Sequence, residues 1–157
     1  MYTCRPAQTA DFPVISQFPQ TEEEAYFMFP SGTYPLSASQ LEERARERLH
    51  PTVVVDGDEV AGYANIYDYV EGKHCYLGNV IIAPAHRGRG AARFLLESMI
   101  GNARDELRVP RLLLLCHHTN PRAMLFYRKL GFKPFDLERK TNRRDEVIVG
   151  IRMELSL

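Results

Sequence analysis

The chain has 157 residues, 45% hydrophobic and 25% charged, a size and balance that suit one globular domain spanning 1–157 with a sizeable core. Its formal net charge of +0 argues against a dedicated nucleic-acid binder or a binder of anionic membranes. No apolar run approaches the ~20 residues a membrane span needs, and the first residues lack the charged-then-apolar order of a signal peptide, so a cytoplasmic location is expected. Cys4, Cys75 and Cys116 are odd in number and far apart, which predicts reduced thiols and no metal site.

In chain order, Tyr2 to Arg5 reads as a short strand closed by Pro6, and Thr9 to Phe18 as a helix capped by Thr9 or Asp11 with Pro13 in its first turn. Glu22 to Pro30 mixes acids with aromatics before Ser31-Gly32 turns the chain. Ser37 to Leu49 predicts a helix: Ser37 with Gln40, or Ser39 with Glu42, forms a capping box, and Leu41, Ala45 and Leu49 recur every four residues. Its charges, of both signs, suit a solvated face. Thr52 to Val55, Val60 to Tyr69 and Cys75 to Ile82 are strands joined by Asp56-Gly57-Asp58 and Glu71-Gly72-Lys73, hence an antiparallel meander.

Asn79 to Ala103 carries the chemistry. Val80 to Ile82 are consecutive β-branched residues, and Pro84 ends their strand because it has no N–H to donate. From Ala92, apolar residues at Leu95, Leu96, Met99 and Ala103 keep helical spacing. Between strand and helix stand Gly88 and Gly90, flanked by Arg87, Arg89 and Arg93. The N–H groups of a helix start have no intrahelical partners, the helix dipole makes them positive, and glycine lets an anion approach. Arg87 to Arg93 therefore reads as an anion cradle suited to a pyrophosphate, although a glycine-rich turn can also be purely structural. A P-loop would need Gly-Lys-Ser/Thr where Gly90-Ala91-Ala92 stands, and a dinucleotide fold would need a third glycine and a later acidic residue.

The apolar run Leu112 to Cys116 follows the helix, so strand, crossover helix and strand make a parallel pair, beside whose carboxyl ends ligands tend to bind. Asn120 then caps a helix with Pro121 at its first position, Arg128 and Lys129 in its last turn, and Gly131 just past its end. Ala123, Tyr127 and Leu130 share one face, which by itself is compatible with a packing tyrosine. Phe132 to Lys140 and Val147 to Leu155 form a closing hairpin around Thr141 to Asp145. Val147, Val149, Ile151, Met153 and Leu155 are expected on the buried face. The expected fold is an α/β (α+β) mixed sheet, mostly antiparallel and flanked by helices, with one parallel strand–helix–strand crossover at the cofactor site.

Pro84-x-x-Arg87-x-x-Gly90-x-Ala92 resembles the acetyl-CoA signature of the GNAT superfamily of N-acetyltransferases. A second hallmark follows at a normal distance, matched by Asn120, Ala123, Phe126, Tyr127, Lys129, Leu130, Gly131 and Phe132. The likeness covers most of the chain from Thr52 onward and is weak before Pro51.

The resemblance implies an acetyl-CoA-dependent N-acetyltransferase in which a neutral primary amine attacks the thioester directly. Acetyl-CoA is the implied co-substrate, with no metal. Its pyrophosphate would lie on Arg87, Gly88, Arg89, Gly90, Ala91, Ala92 and Arg93. Its pantetheine arm would pair with Val80, Ile81 and Ile82, whose N–H groups would also hold the oxyanion. Asn120 would contact the cysteamine portion, and Tyr127 would protonate the leaving thiolate, a phenol of pKa near 10 being protonated at neutral pH.

Some relatives carry a basic glutamate where Leu115 stands. His117, His118, Asp68, Glu71 or water are the remaining candidates for the base, and none is singled out. Cys116 at a strand end reads as packing rather than as an acyl carrier. A catalytically degenerate acetyl-CoA-binding regulatory module and a nucleotide-binding interaction protein are the alternatives. The acceptor is a small-molecule amine or a peptide amine, and a homodimer is left open. Glu22, Glu23, Glu24, Tyr26, Phe27, Phe29 and Tyr34 could dock a cationic amine through charge and aromatic faces, or simply pack and solvate the sheet.

Overall fold

The structure, a computed structural model, describes residues 1–157. Its seven strands are β1 (Tyr2–Pro6), β2 (Leu49–Asp56), β3 (Glu59–Val70), β4 (His74–Ile82), β5 (Arg111–His117), β6 (Lys133–Thr141) and β7 (Val147–Ser156). They form one sheet in the order β1-β2-β3-β4-β5-β7-β6, in which only β4 and β5 run parallel. The expected mixed sheet with a single parallel crossover is the one observed.

Five α-helices flank it: α1 (Phe12–Ile15), α2 (Glu22–Met28), α3 (Ala38–Arg46), α4 (Ala91–Gly101) and α5 (Pro121–Lys129). Alternation along β2 divides the core. Val53 and Val55 join Phe12, Ile15, Met28, Phe29, Leu41 and Ala45 beneath α1 to α3. Val54 joins Leu95, Leu96, Met99 and Ala103 beneath α4, where Ala123, Phe126, Tyr127 and Leu130 of α5 also pack.

Several boundaries differ from expectation for identifiable reasons. The helix expected over Thr9 to Phe18 splits into a 3₁₀ turn at Thr9–Asp11 and the short α1. Asp11 is the N-cap residue of α1, but its carboxylate is bound to Arg5 at 2.8 and 2.9 Å rather than capping that helix. Glu22 to Met28, given no element above, form α2, because the Thr21 hydroxyl accepts from the Glu24 N–H and three acids occupy the positive first turn. The helix expected to reach Leu49 stops at Arg46, since Leu49 pairs with Ile66 in the sheet and is 39% exposed. On α4, Ala91 rather than Ala92 is buried, and a π-helical turn at Asn102–Glu106 extends the helix. In β7 the expected face packs on the core through Val149, Ile151, Met153 and Leu155, whereas Val147 at the hairpin end is exposed and Ile148 is buried on the opposite face. No helix of the fold is long and apolar enough to cross a membrane.

Candidate active site

β4 and β5 pair only at Cys75 with Leu112 and Tyr76 with Leu113. Past that point they diverge, so Leu77 to Ile82 and Leu114 to His117 face each other across a cleft of about 640 Å³. A bulge sharpens the split: the β3–β4 register shifts between Tyr63 and Asn65, opposite Asn79, whose φ is +51°. Asparagine tolerates that left-handed geometry better than the β-branched residues after it. Its side chain fixes the bulge by donating to the Met28 carbonyl at 2.8 Å and accepting from Asn65 at 2.8 Å.

The cradle lies at the far end of β4. Gly88 and Gly90 have φ of +73° and +91°, and a Cβ on either would meet nothing within 4 Å. Gly90 is the N-cap of α4 and no side chain caps that helix. Its first-turn N–H groups therefore open on unobstructed space, as a diphosphate requires. The three arginines behave differently. Arg89 is exposed, with one long contact to the Ala85 carbonyl at 3.4 Å. Arg93 is paired with Glu97 at 2.9 Å. Arg87 lines the cleft, but its guanidinium is bound to the carbonyls of Ile82 and Phe18 and to Glu24 of α2. It braces the cradle against α2.

Val80, Ile81, Ile82, Ala92, Asn120 and Tyr127 all line the cleft. Asn120 caps α5, its side chain accepting from the Ala123 N–H at 3.4 Å. Tyr127 is partly exposed to the cleft, its ring packed on Phe126 and edge-on to Phe132 at 5.8 Å. Its hydroxyl makes no hydrogen bond within the chain. Burial, with the nearby Cys116 thiol second, raises the phenol pKa above its ordinary value. Tyr127 is thus a protonated donor at every physiological pH.

Of the groups considered as a base, only His117 reaches the cleft. His118 is exposed, its Nδ1 accepting from the Val149 N–H at 2.9 Å, and Asp68 and Glu71 are exposed on the meander. His117 is 5% exposed, flanked by Tyr26 and Phe27, and its Nδ1 has no partner. Burial foremost, then Lys140 and His118, lowers its pKa to about 4. Burial raises the Cys116 thiol to about 11, so it is not a thiolate nucleophile, in keeping with the packing reading.

Sequence reasoning passed over Arg48, Lys140 and Arg122, which also line the cleft. Of the acid–aromatic segment only Glu24 and Phe27 reach it. Tyr26 packs on His117, Phe29 is buried under Arg44, and Glu22, Glu23 and Tyr34 face solvent.

The sheet splits between its two parallel strands beside an uncapped glycine turn, which leaves an open cleft at the start of α4. The profile described as Acetyltransferase (GNAT) family matches residues 15–132, and the chain belongs to that family. A curated relative, the mycothiol acetyltransferase of Streptosporangium roseum, is 35% identical over 88 residues, or 55% of this chain. The chain spans 24% of that relative's length. Among solved structures, spermidine N-acetyltransferase from Vibrio cholerae in complex with CoA and spermine superposes with a TM-score of 0.82 at 21% identity, covering 99% of this chain and 95% of that one. The ribosomal-protein-S18-alanine N-acetyltransferase of Escherichia coli gives 0.76 at 22% identity, covering 99% and 94%.

Proposed function

We propose that this chain, acting as one unit over residues 1–157, transfers the acetyl group of acetyl-CoA to a primary amine by direct attack. The observation that carries this reading is the split of β4 from β5 with the open cradle at its end and Tyr127 on its wall. Bound acetyl-CoA supplies an activated acetyl thioester. The N–H groups from Gly88 to Arg93, with the Arg89 guanidinium, hold the diphosphate. Val80 to Ile82 offer backbone partners to the pantetheine arm, and their N–H groups meet negative charge developing on the carbonyl oxygen. Asn120 orients the thiol end of the arm.

In the transfer the amine nitrogen forms the new C–N bond as the C–S bond breaks. Tyr127 gives its proton to the departing sulfur, the amine's surplus proton leaves to water, and Tyr127 recovers a proton from water, so the transfer is balanced. With a pKa of about 4, His117 is too weak a base to hold that proton. Its place in the cleft is as a neutral wall. Cys116, held as a thiol, takes no acyl group.

The test is heat stabilisation by acetyl-CoA followed by CoA thiol release over a panel of amines and peptides. Stabilisation with acceptor-dependent thiol release supports the reading; stabilisation by ATP or NAD but not by CoA overturns it.

A further inference from the structure

Arg48 stands between the end of α3 and the start of β2 and reaches into the cleft. Its guanidinium carbon lies 4.1 Å from the centre of the Tyr67 ring, a stacked arrangement. Gly78 of β4 makes room for it: a Cβ there would come within 2.7 Å of Nη1 and 2.8 Å of the Tyr67 ring. The guanidinium therefore lies against β4 at the root of the split, over the Tyr67 ring. Four residue steps, about 13 Å of strand, separate Gly78 from Ile82, where the loop to the cradle begins. Arg48 is thus not placed to hold the diphosphate.

Its surroundings are short of negative charge. The one hydrogen bond the Arg48 side chain makes within the chain is to the neutral Asn65 Oδ1, at 3.4 Å. Asn65 is fully buried and held by the Tyr63 hydroxyl at 3.1 Å and by Asn79 at 2.8 Å. Eight other arginines have a carboxylate within ion-pair distance, whereas Arg48 has none. Burial and the nearby Arg44 draw its pKa below the ordinary value, the mark of a desolvated cation that its own fold does not neutralise. The other charges on the cleft wall are Glu24, Arg87, Arg122 and Lys140, and Glu24 is already bound to Arg87. The unspent charge of the cleft is positive, which disfavours a polycationic acceptor and favours an anion.

Resting on the acetyltransferase reading above, we propose that Arg48 binds an anionic group on the acceptor, which is a small zwitterionic amine of the free α-amino acid type. The carboxylate occupies the guanidinium at Gly78 through paired N–H donors, and the amine one carbon away is presented toward the thioester beside Val80. Transfer forms the C–N bond, breaks the C–S bond, leaves CoA as the thiol and releases one proton from the acceptor's ammonium group to water. Peptide N-termini and polyamines, which lack a carboxylate beside the reactive amine, fit this site poorly.

The test measures thiol release by the full chain with acetyl-CoA and free amino acids, each amino acid paired with its own amide. Spermidine and a short peptide are included. The expected result is that the best free amino acid exceeds its amide by about 10- to 100-fold in kcat/KM, the weight of a charge-assisted hydrogen bond. In Arg48→Gln, which keeps a planar polar group against Tyr67, the ratio of acid to amide collapses toward one. Arg48→Lys restores part of it. Heat stabilisation by acetyl-CoA, measured on each variant against its own melting point, shows that the protein is folded and the cradle intact. Equal use of acid and amide, a preference for spermidine or the peptide, no turnover of any amino acid, or an acid-to-amide ratio that survives Arg48→Gln overturns the acceptor class while leaving the transferase reading standing. No stabilisation of the wild type by acetyl-CoA overturns both.

Discussion

Arg87 and Glu24 meet in an ion pair with 2.5 Å between their charged atoms, joining the head of the cradle to helix α2. The arginine expected to grip phosphate is therefore occupied, and Arg89 is the free one. Arg87→Ala is expected to cost about 1 kcal/mol of stability, a value discounted for its partial exposure, with little dependence on salt. Arg89→Ala should leave the melting temperature of the free protein alone and weaken acetyl-CoA, more at low ionic strength than at high. Calorimetric melting and CoA titration at two salt concentrations check both. Equal loss of CoA affinity in the two variants would return Arg87 to the phosphate.

Gly90 occupies φ +91° at the uncapped start of α4, over open space. Gly90→Val places a branched side chain in that space and strains the backbone. Acetyl-CoA at a hundredfold excess over Kd should stabilise the wild type by about 2.7 kcal/mol. The variant should show no shift relative to its own ligand-free melting point. A shift of wild-type size would mean that the diphosphate lies elsewhere.

The features legible in the sequence are those written within short spans. The hairpin at Gly57, the glycine turn at Gly88 and Gly90 ahead of α4, and the Asn120 to Gly131 helix each depend on residues a few positions apart, and each of these local structures stands where it was expected. Helix α2 is equally local, since Thr21 and Glu24 have capping-box spacing, but its adjacent acids and aromatics obscure the helical apolar period that would mark it as a helix. The end of α3 was not local, because Leu49 leaves the helical period to pair with Ile66. Arg48 was hidden for the same reason. Its role depends on Tyr67 and Asn65 of β3 and on a missing side chain at Gly78 of β4, brought together only by the sheet.

His117 gives the fold an acid-sensitive point. Its folded pKa of about 4 lies below the usual 6.5, so on acidification the unfolded chain takes up the proton first. The contribution of this residue to stability is complete above pH 6.5 and is lost as pH falls toward 4. His117→Leu removes both the titration and the unpartnered Nδ1, and its apolar side chain suits Tyr26 and Phe27. Urea unfolding from pH 7 to 4 should show a shallower fall for the variant. Parallel curves would mean that His117 titrates normally.

Tyr127 is the proposed general acid, and its raised pKa gives that role a signature in pH as well as in rate. Tyr127→Phe keeps the ring against Phe126 and Phe132 and deletes only a hydroxyl with no partner in the chain, so stability should scarcely change. Loss of a general acid is expected to lower kcat by roughly 10- to 10⁴-fold with CoA affinity nearly constant. In the wild type, kcat/KM should rise with pH as the acceptor amine loses its proton. It should then hold a plateau through pH 10, where an ordinary tyrosine would be half ionised. Steady-state rates from pH 6 to 10.5 on both proteins check this, together with CoA titration of the variant. A descending limb near pH 10 in the wild type that Tyr127→Phe abolishes would show that the phenol ionises normally. Wild-type turnover in the variant would make Tyr127 a packing residue and move proton delivery to water.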